Sequence, residues 1–219
     1  MDTADRPGPA PRQGLRELKK QRTRDALLHA ALELFTTQGY EQTTVDEIAE
    51  AVDVSQRTFF RYFAGKEEAA LFTQRLTESQ FLTAVRERPL HEAPLEALRR
   101  SVLESWDTIG EAIEAVIPIE LHMRTLRLIE STPALLAVSL RRSVELEEEI
   151  AQVIAEREGL DVDGDPRPRV AVAVFGGVMR MTSRLWGQGE DIGVEAIREL
   201  TASYLGHVGP SLAETWRTE

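Results

Sequence analysis

The stretch from Thr43 to Lys66, TTVDEIAEAVDVSQRTFFRYFAGK, restricts the fold of this chain more than any other. It reads as two short helices with a tight break between them. The first starts at Thr44 and carries Val45, Ile48, Ala49 and Val52 as its apolar positions. Thr44 and Glu47 have the T-x-x-E spacing of a capping box, which satisfies backbone N–H groups at a helix start. The break falls at Asp53-Val54, and Ser55 offers a hydroxyl cap for the second helix. That helix exposes Gln56, Arg57, Thr58, Arg61 and Tyr62, while Phe59 and Phe63, four residues apart, pack inward. A short polar helix presented by such a pair is what the DNA major groove accepts.

The surrounding residues extend the pattern. Ala30-Ala31-Leu32-Glu33-Leu34-Phe35 is followed by Gly39-Tyr40, Thr43-Thr44-Val45, Ile48-Ala49, Val54-Ser55, Thr58-Phe59-Phe60, Tyr62-Phe63 and Lys66. In this order and spacing the stretch from about Arg22 to Lys66 resembles the DNA-binding domain of TetR-family transcriptional regulators. The resemblance implies an all-α fold: a helix-turn-helix domain over 16–66 and a larger ligand-binding and dimerisation domain over 67–219. It also implies DNA contacts from Thr43, Thr44, Ser55, Gln56, Arg57, Thr58, Phe60, Arg61, Tyr62 and Lys66. Thr44, Tyr62 and Lys66 would hold phosphates and fix the register. Arg57 would read guanine, Gln56 adenine, and Thr58 a thymine methyl. Two positions depart from the family pattern. Phe60 stands where tyrosine is usual, and Arg57 where many members carry glycine. Ser55 has a second reading as a cap alone.

Charge fits this division. The net charge of −11 looks wrong for a DNA binder, but it is unevenly spread. Residues 1–66 hold ten Lys/Arg and ten Asp/Glu, whereas residues 67–219 hold sixteen and twenty-seven. Within 6–24, seven basic residues (Arg6, Arg12, Arg16, Lys19, Lys20, Arg22 and Arg24) face the single acid Glu17. Such an arm can seek phosphates while the acidic body repels them; the alternative is a solubilising tail. Residues 1–15 read as a disordered basic arm without the apolar core of a signal peptide. No apolar run approaches the ~18 residues of a membrane span, so no membrane association and a cytoplasmic location are expected.

The rest reads as helix. Helix one spans about 16–38, with Ala26, Leu27, Ala30, Ala31, Leu34 and Phe35 on one face, and ends at Gly39. Helix four runs from Lys66 to about Arg88. A helix follows Pro94 and is interrupted at Gly110; Pro118 breaks the next stretch. Another runs from Pro133 to about Glu158. The aspartates of 159–168 lack the distal Glu of a calcium loop and read as solvated. The last two helices, about 169–186 and 194–205, differ in character. The first is apolar nearly all round, and its Gly176-Gly177 pair suits close backbone approach. Together they resemble the helix pair that forms the family's homodimer interface; the alternative is an ordinary intrachain core.

In the larger domain, Phe72, Leu76, Trp106, Ile113, Ile117, Leu121, His122 and Met123, with Phe175 and Met179, are candidates for an effector pocket; Phe81, Ile109 and Leu126 are further ones. Converging aromatics and methionines suit an apolar or amphipathic small molecule, though each residue has an alternative as plain core. His122 and Arg124 would orient a polar head or face water. The chain is also similar to actinobacterial-type family members whose effectors are acyl-CoA or fatty-acyl compounds. Signals for catalysis are absent from the sequence. It has no cysteine, and the four histidines show no metal-ligand spacing. There is no G-x-S-x-G elbow, no phosphate-binding Walker loop, and Gly187-x-Gly189 follows a helix rather than a strand. No cofactor, metal or catalytic residue is therefore expected. The expected function is a repressor released from a palindromic double-stranded operator by a small molecule, its half-sites ~34–36 Å apart. The alternatives are an activator or protein-partner regulator, or an enzyme with a vestigial DNA domain.

Overall fold

A computed structural model describes residues 12–191 and 193–209, and side chains there except those of 12–15, 107–109, 111 and 112. Most of the expected basic arm therefore lies outside the described residues. Ten helices follow one another, and no strand occurs among the described residues.

The N-terminal module consists of α1 (Arg12–Gln38), α2 (Val45–Glu50), α3 (Gln56–Phe59) and α4 (Lys66–Ala70). Helix α1 starts at Arg12, inside the segment expected to be disordered, and residues 16–22 are all exposed. Its buried face is rotated from the expected one. Leu27, Leu28, Ala31, Leu32 and Phe35 are buried, whereas Ala26 is exposed and Ala30 and Leu34 are half-buried. The large leucines at positions 28 and 32 win the core over the alanines because they remove more apolar surface from water. Gly39, at φ 99°, ends the helix in a conformation that side chains disfavour.

Helix α4 does not continue unbroken to Arg88. Leu71 (φ −94°, ψ 5°) separates it from α5 (Phe72–Glu87), and no glycine or proline marks the kink. Leu71 is itself buried in the first core. Conversely, Gly110 does not interrupt α6 (Pro94–Glu114). A single helical glycine costs only ~1 kcal/mol, which the flanking turns offset. Pro118 does break the chain, and α7 (Ile119–Ser131) begins after it. Helix α8 (Pro133–Glu158) starts on proline at its first turn and ends at Gly159 in the left-handed conformation, where the Leu160 N–H bonds to the Ala155 carbonyl at 2.9 Å. Helices α9 (Arg167–Gln188) and α10 (Val194–Gly206) close the chain.

The core has distinct centres. The first joins α1, α2, α3 and α4 to Ile113, Ile117, Leu121, Ile129 and Leu135 of the larger domain. The second packs Phe81, Leu82 and Val85 of α5 against Leu98, Val102, Ile150, Val153, Ile154 and Phe175. Arg157 of α8 ties this centre to the end of α5, donating to the carbonyls of Val85 (3.3 Å), Arg88 (2.6 Å) and Pro89 (3.0 Å). These carbonyls lie at and just beyond the C-terminus of α5, where those of Val85 and Pro89 also accept from the Arg88 and Glu92 N–H groups. A small third centre holds Met123, Trp186 and Ile197. Among the described residues no helix is long and apolar enough to cross a membrane.

Candidate nucleic-acid interface and effector cavity

The helix-turn-helix is held by local hydrogen bonds and an aromatic base. The Thr44 backbone N–H donates to the Glu47 carboxylate at 2.7 Å and its hydroxyl at 2.9 Å, while the Glu47 N–H returns a bond to the Thr44 hydroxyl at 3.2 Å. The backbone bond, then the hydroxyl, hold the Glu47 carboxyl below its ordinary range. Asp53, at φ 55°, makes the turn, a conformation that Asp tolerates better than most residues. Ser55 caps α3: its hydroxyl accepts from the Thr58 N–H at 3.3 Å and lies 3.0 Å from the Thr58 hydroxyl. Below, Phe59 and Phe63 are fully buried, with ring centroids 5.4 Å apart, and Phe63 meets Phe72 edge-on at 6.0 Å. Helix α3 is thus a short element on a stiff platform.

Its outer face is open. Gln56, Arg57, Phe60 and Arg61 are exposed, and Phe60 keeps 52% of its surface accessible. Neither arginine has a hydrogen-bond or ion-pair partner among the described residues, so both guanidiniums are available to an outside anion or base edge. Tyr62 is half-buried and packs against the first core, and Thr44 is exposed at the start of α2.

Two expected contacts are placed otherwise. Thr43 is 1% exposed and its hydroxyl donates to the Gly39 carbonyl at 2.8 Å, so that side chain belongs to the turn after α1. The Lys66 ammonium folds back, donating to the carbonyls of Tyr40 (2.8 Å) and Thr43 (2.7 Å), and sits 4.6 Å from the Tyr40 ring centroid. It clamps the α1–α2 turn to the start of α4 instead of projecting toward a phosphate. Its charge remains near the surface, but two of its three donors are used.

In the larger domain a cavity of about 480 Å³ opens between α5, α6, α7, α8 and α9, with Ile197 of α10 also in its wall. Of the expected residues, Trp106, His122, Phe175 and Met179 line it, as do Phe81 and Leu126. Phe72, Leu76, Ile113, Ile117, Leu121 and Met123 do not. Ile113, Ile117 and Leu121 are buried in the first core, with Phe72 and Leu76 packed on it, and Met123 packs in the third. All but Met123 are consumed in joining the two halves. Ile109 lies outside the described side chains.

The cavity is more polar than its apolar candidates suggested. Gln74, Glu78, Glu130, Ser139, Glu147, Arg180 and Arg184 belong to its wall. Glu78 is 7% exposed and accepts from Arg142 at 2.8 Å and from Gln74 at 3.0 Å. Glu147 pairs with Arg180 across α8 and α9. Gly176 gives that pair room, since a Cβ there would meet the Glu147 carboxylate, whereas Gly177 faces open space. Only one member of the glycine pair therefore serves an intrachain contact, and it accommodates a side chain rather than a backbone. Burial raises the Glu130 carboxyl, with Arg184 opposing. His122 is 1% exposed, and burial pushes its imidazole down to about 4, so it is neutral at pH 7. Its Nδ1 and the indole Nε1 atoms of Trp106 and Trp186 are buried without a hydrogen-bond partner. A buried donor left unpaired costs ~1–3 kcal/mol.

Sequence reasoning missed the polar wall for an identifiable reason. Gln74 and Glu78, at i and i+4, and Ser139, Ser143 and Glu147, at i, i+4 and i+8, are indistinguishable by pattern from solvated helix faces. Only the tertiary arrangement turns these stripes toward one another.

This architecture, an open polar helix on a packed helical base and a partly open cavity in the larger domain, is that of a one-component transcriptional regulator. Residues 27–71 match the family model described as bacterial regulatory proteins, tetR family, and residues 92–208 match the MftR C-terminal domain. The sequence is 45% identical to the HTH-type transcriptional regulator TcmR of Streptomyces glaucescens, over 99% of this chain and 98% of that protein. The chain belongs to the TetR family of transcriptional regulators. Solved structures share its fold. NalD, the secondary repressor of the MexAB-OprM multidrug efflux pump in Pseudomonas aeruginosa, aligns with a TM-score of 0.60 at 18% identity, covering 90% of this chain and 100% of that one. Thermus thermophilus FadR, solved in complex with lauroyl-CoA, gives 0.51 at 20% identity, covering 90% and 98%.

Proposed function

We propose that this chain is an effector-released repressor, acting in the cytoplasm as a homodimer on a palindromic operator. The observation that carries this reading is the pairing of an open, unpartnered surface, Arg57 on α3 and Arg61 in the turn after it, with a partly open cavity that shares helix α7 with the first core. Arg57 and Gln56 would read base edges, while Arg61, Tyr62 and Thr44 would hold the backbone. Ser55 and Thr58 are bonded to one another and serve mainly to shape α3; Phe60 would pack on a sugar. A gel shift of genomic upstream fragments tests the reading: selective binding that Arg57→Ala with Arg61→Ala abolishes is expected, and no selective binding overturns it.

The dimer face is best supplied by α9. Val170, Met181 and Leu185 are exposed there at 59%, 38% and 40%, and Gly177 lies on the same stripe with nothing near it. The apolar residues of α10 are less available than the sequence suggested. Val194, Ile197 and Leu200 pack with Met123 and Trp186, and Leu205 joins the second core. Helix α10 would therefore add a rim, not half of the apolar surface. Met181→Glu with Leu185→Glu should convert a dimer to a monomer in light scattering; a surviving dimer places the interface elsewhere.

Transmission would use α7 beside the expected α4–α5 lever. Helix α7 lends His122, Leu126, Ile129 and Glu130 to the cavity, and its other side presents Arg124 to Glu33 of α1 at 2.9 Å. An effector moves this equilibrium only if it binds the two states unequally.

A further inference from the structure

We propose that the exposed N-terminal turns of α1 form a second DNA-contacting element, in which Arg16, Lys19 and Arg22 hold phosphates that flank the bases facing α3. The inference rests on the regulator reading above and deepens it by adding a contact outside the helix-turn-helix. These turns precede residues 27–71, which match the tetR family model, so they add to that module rather than repeat it. Residues 16–22 are all exposed. The side chains of Arg16, Lys19 and Arg22 have no hydrogen-bond or ion-pair partner among the described residues. The one acid of the stretch, Glu17, is taken by Lys20 at 3.3 Å. Like charges three residues apart on a helix repel one another, and nothing here offsets them. The pattern is the opposite on α6, α8 and α9. There Arg100 pairs with Glu96, Arg142 with Glu145 and Glu149, and Arg169 with Glu148.

The course of α1 carries these turns past the platform of α3. The helix meets the larger domain at Glu33, which pairs with Arg124 at 2.9 Å. It meets the platform at Arg24, whose guanidinium lies 5.0 Å from the centroid of the Phe72 ring that abuts Phe63. Residues 16–22 continue beyond that contact, away from Glu33. Their length suits a run of phosphates: from Arg16 to Arg22 a rise of ~1.5 Å per residue gives ~9 Å, about three phosphate steps of one DNA strand at ~3.4 Å each. Composition decides the partner. Leu18 is the one apolar side chain in residues 16–24, so these turns present no apolar face for insertion into a lipid surface or for burial against a protein. A row of free cations without an apolar anchor matches a polyanion. The acidic remainder, with sixteen basic residues against twenty-seven acids over 67–219, leaves the N-terminal end as the one that a polyanion approaches.

The test compares the full chain with a triple variant, Arg16→Gln with Lys19→Gln and Arg22→Gln, on DNA from its own upstream region over a salt series. Each phosphate contact contributes ~0.9 to the slope of log affinity against log salt, so six lost contacts in a dimer should lower that slope by ~5 and weaken binding at least ~tenfold at low salt. The preference for operator over scrambled DNA should persist, because phosphate contacts carry no sequence information. Ethylation interference should lose about three phosphates per half-site. Arg16→Lys with Arg22→Lys should keep the original slope, since a point charge suffices. The thermal melts of both variants should match that of the parent chain. A slope that falls by less than half of the expected amount, or a Lys variant that behaves like the Gln variant, overturns the proposal. Binding to phosphatidylglycerol vesicles that the Gln variant loses while its DNA slope is unchanged assigns these turns to a lipid surface and overturns it too. Selective operator binding by the parent chain separates the two readings: its presence beside an unchanged slope leaves the regulator standing, and its absence removes the regulator and this contact together.

Discussion

The two ends of this molecule engage their polar side chains to different degrees. At the DNA end, Thr43, Thr44, Ser55 and Lys66 are each engaged by a neighbour within the module, the buried Tyr40 hydroxyl is the exception among the described residues there, and the outward arginines are left free. At the effector end, Trp106, Trp186 and His122 are buried with polar atoms unpaired. The first arrangement suits a reader that must hold one shape against a groove. The second suits a receptor that is complete only when something else enters. The difference explains how one chain can carry a rigid output and a responsive input.

Replacing Phe59 attacks the rigid side most directly. Phe59→Ala removes a fully buried ring from the platform under α3, and a stability loss of ~3–5 kcal/mol is expected in denaturant titration. An effect confined to DNA binding, with stability unchanged, would mean that the platform is not what fixes α3. On the responsive side, His122 makes stability depend on pH. Its folded value of about 4 lies below the ordinary 6.5, so unfolding takes up a proton between the two. Its contribution is fully present above pH 6.5 and is lost as the pH falls toward 4, at a slope of up to about 1.4 kcal/mol per pH unit. His122→Gln should flatten that slope between pH 6.5 and 5; an unchanged slope would mean that the imidazole is not held neutral by burial.

Arg57 comes next in size. Arg57→Ala should cost ~1–3 kcal/mol of operator affinity and relax preference at one base position, read by competition with single-base variants. A uniform loss across all sequences would make it a phosphate contact instead. Smaller still is Thr44→Ala, which breaks the capping box and should lower stability by roughly 1 kcal/mol. Arg124→Ala should leave the fold intact and change, by several-fold, the ratio of operator affinities with and without effector. An unaltered ratio would confine transmission to α4 and α5.

The DNA end was legible in the sequence because its determinants are local. The T-x-x-E spacing, Ser55, and Phe59 with Phe63 each act within four residues, and the structure places them as that spacing implies. The clamp made by Lys66 is not legible locally because its partners, the carbonyls of Tyr40 and Thr43, lie more than twenty residues away. The cavity was legible only in part for the same reason. Trp106, His122, Phe175 and Met179 announce themselves as large or unusual, but Gln74, Glu78 and Glu147 acquire meaning only when α5, α8 and α9 meet. Ile113, Ile117 and Leu121 look like a pocket in sequence and are instead the seam between the two halves. Apolar periodicity reports burial and does not say which core receives the residue.

The most direct test of the whole account is a fluorescence-anisotropy titration of the full chain against DNA from its own upstream region and against scrambled DNA, over a series of salt concentrations. The account predicts at least ~10³-fold preference for one palindromic site at physiological salt, abolished by Arg57→Ala with Arg61→Ala. Equal affinity for both DNAs, or a preference that survives the double substitution, would contradict it.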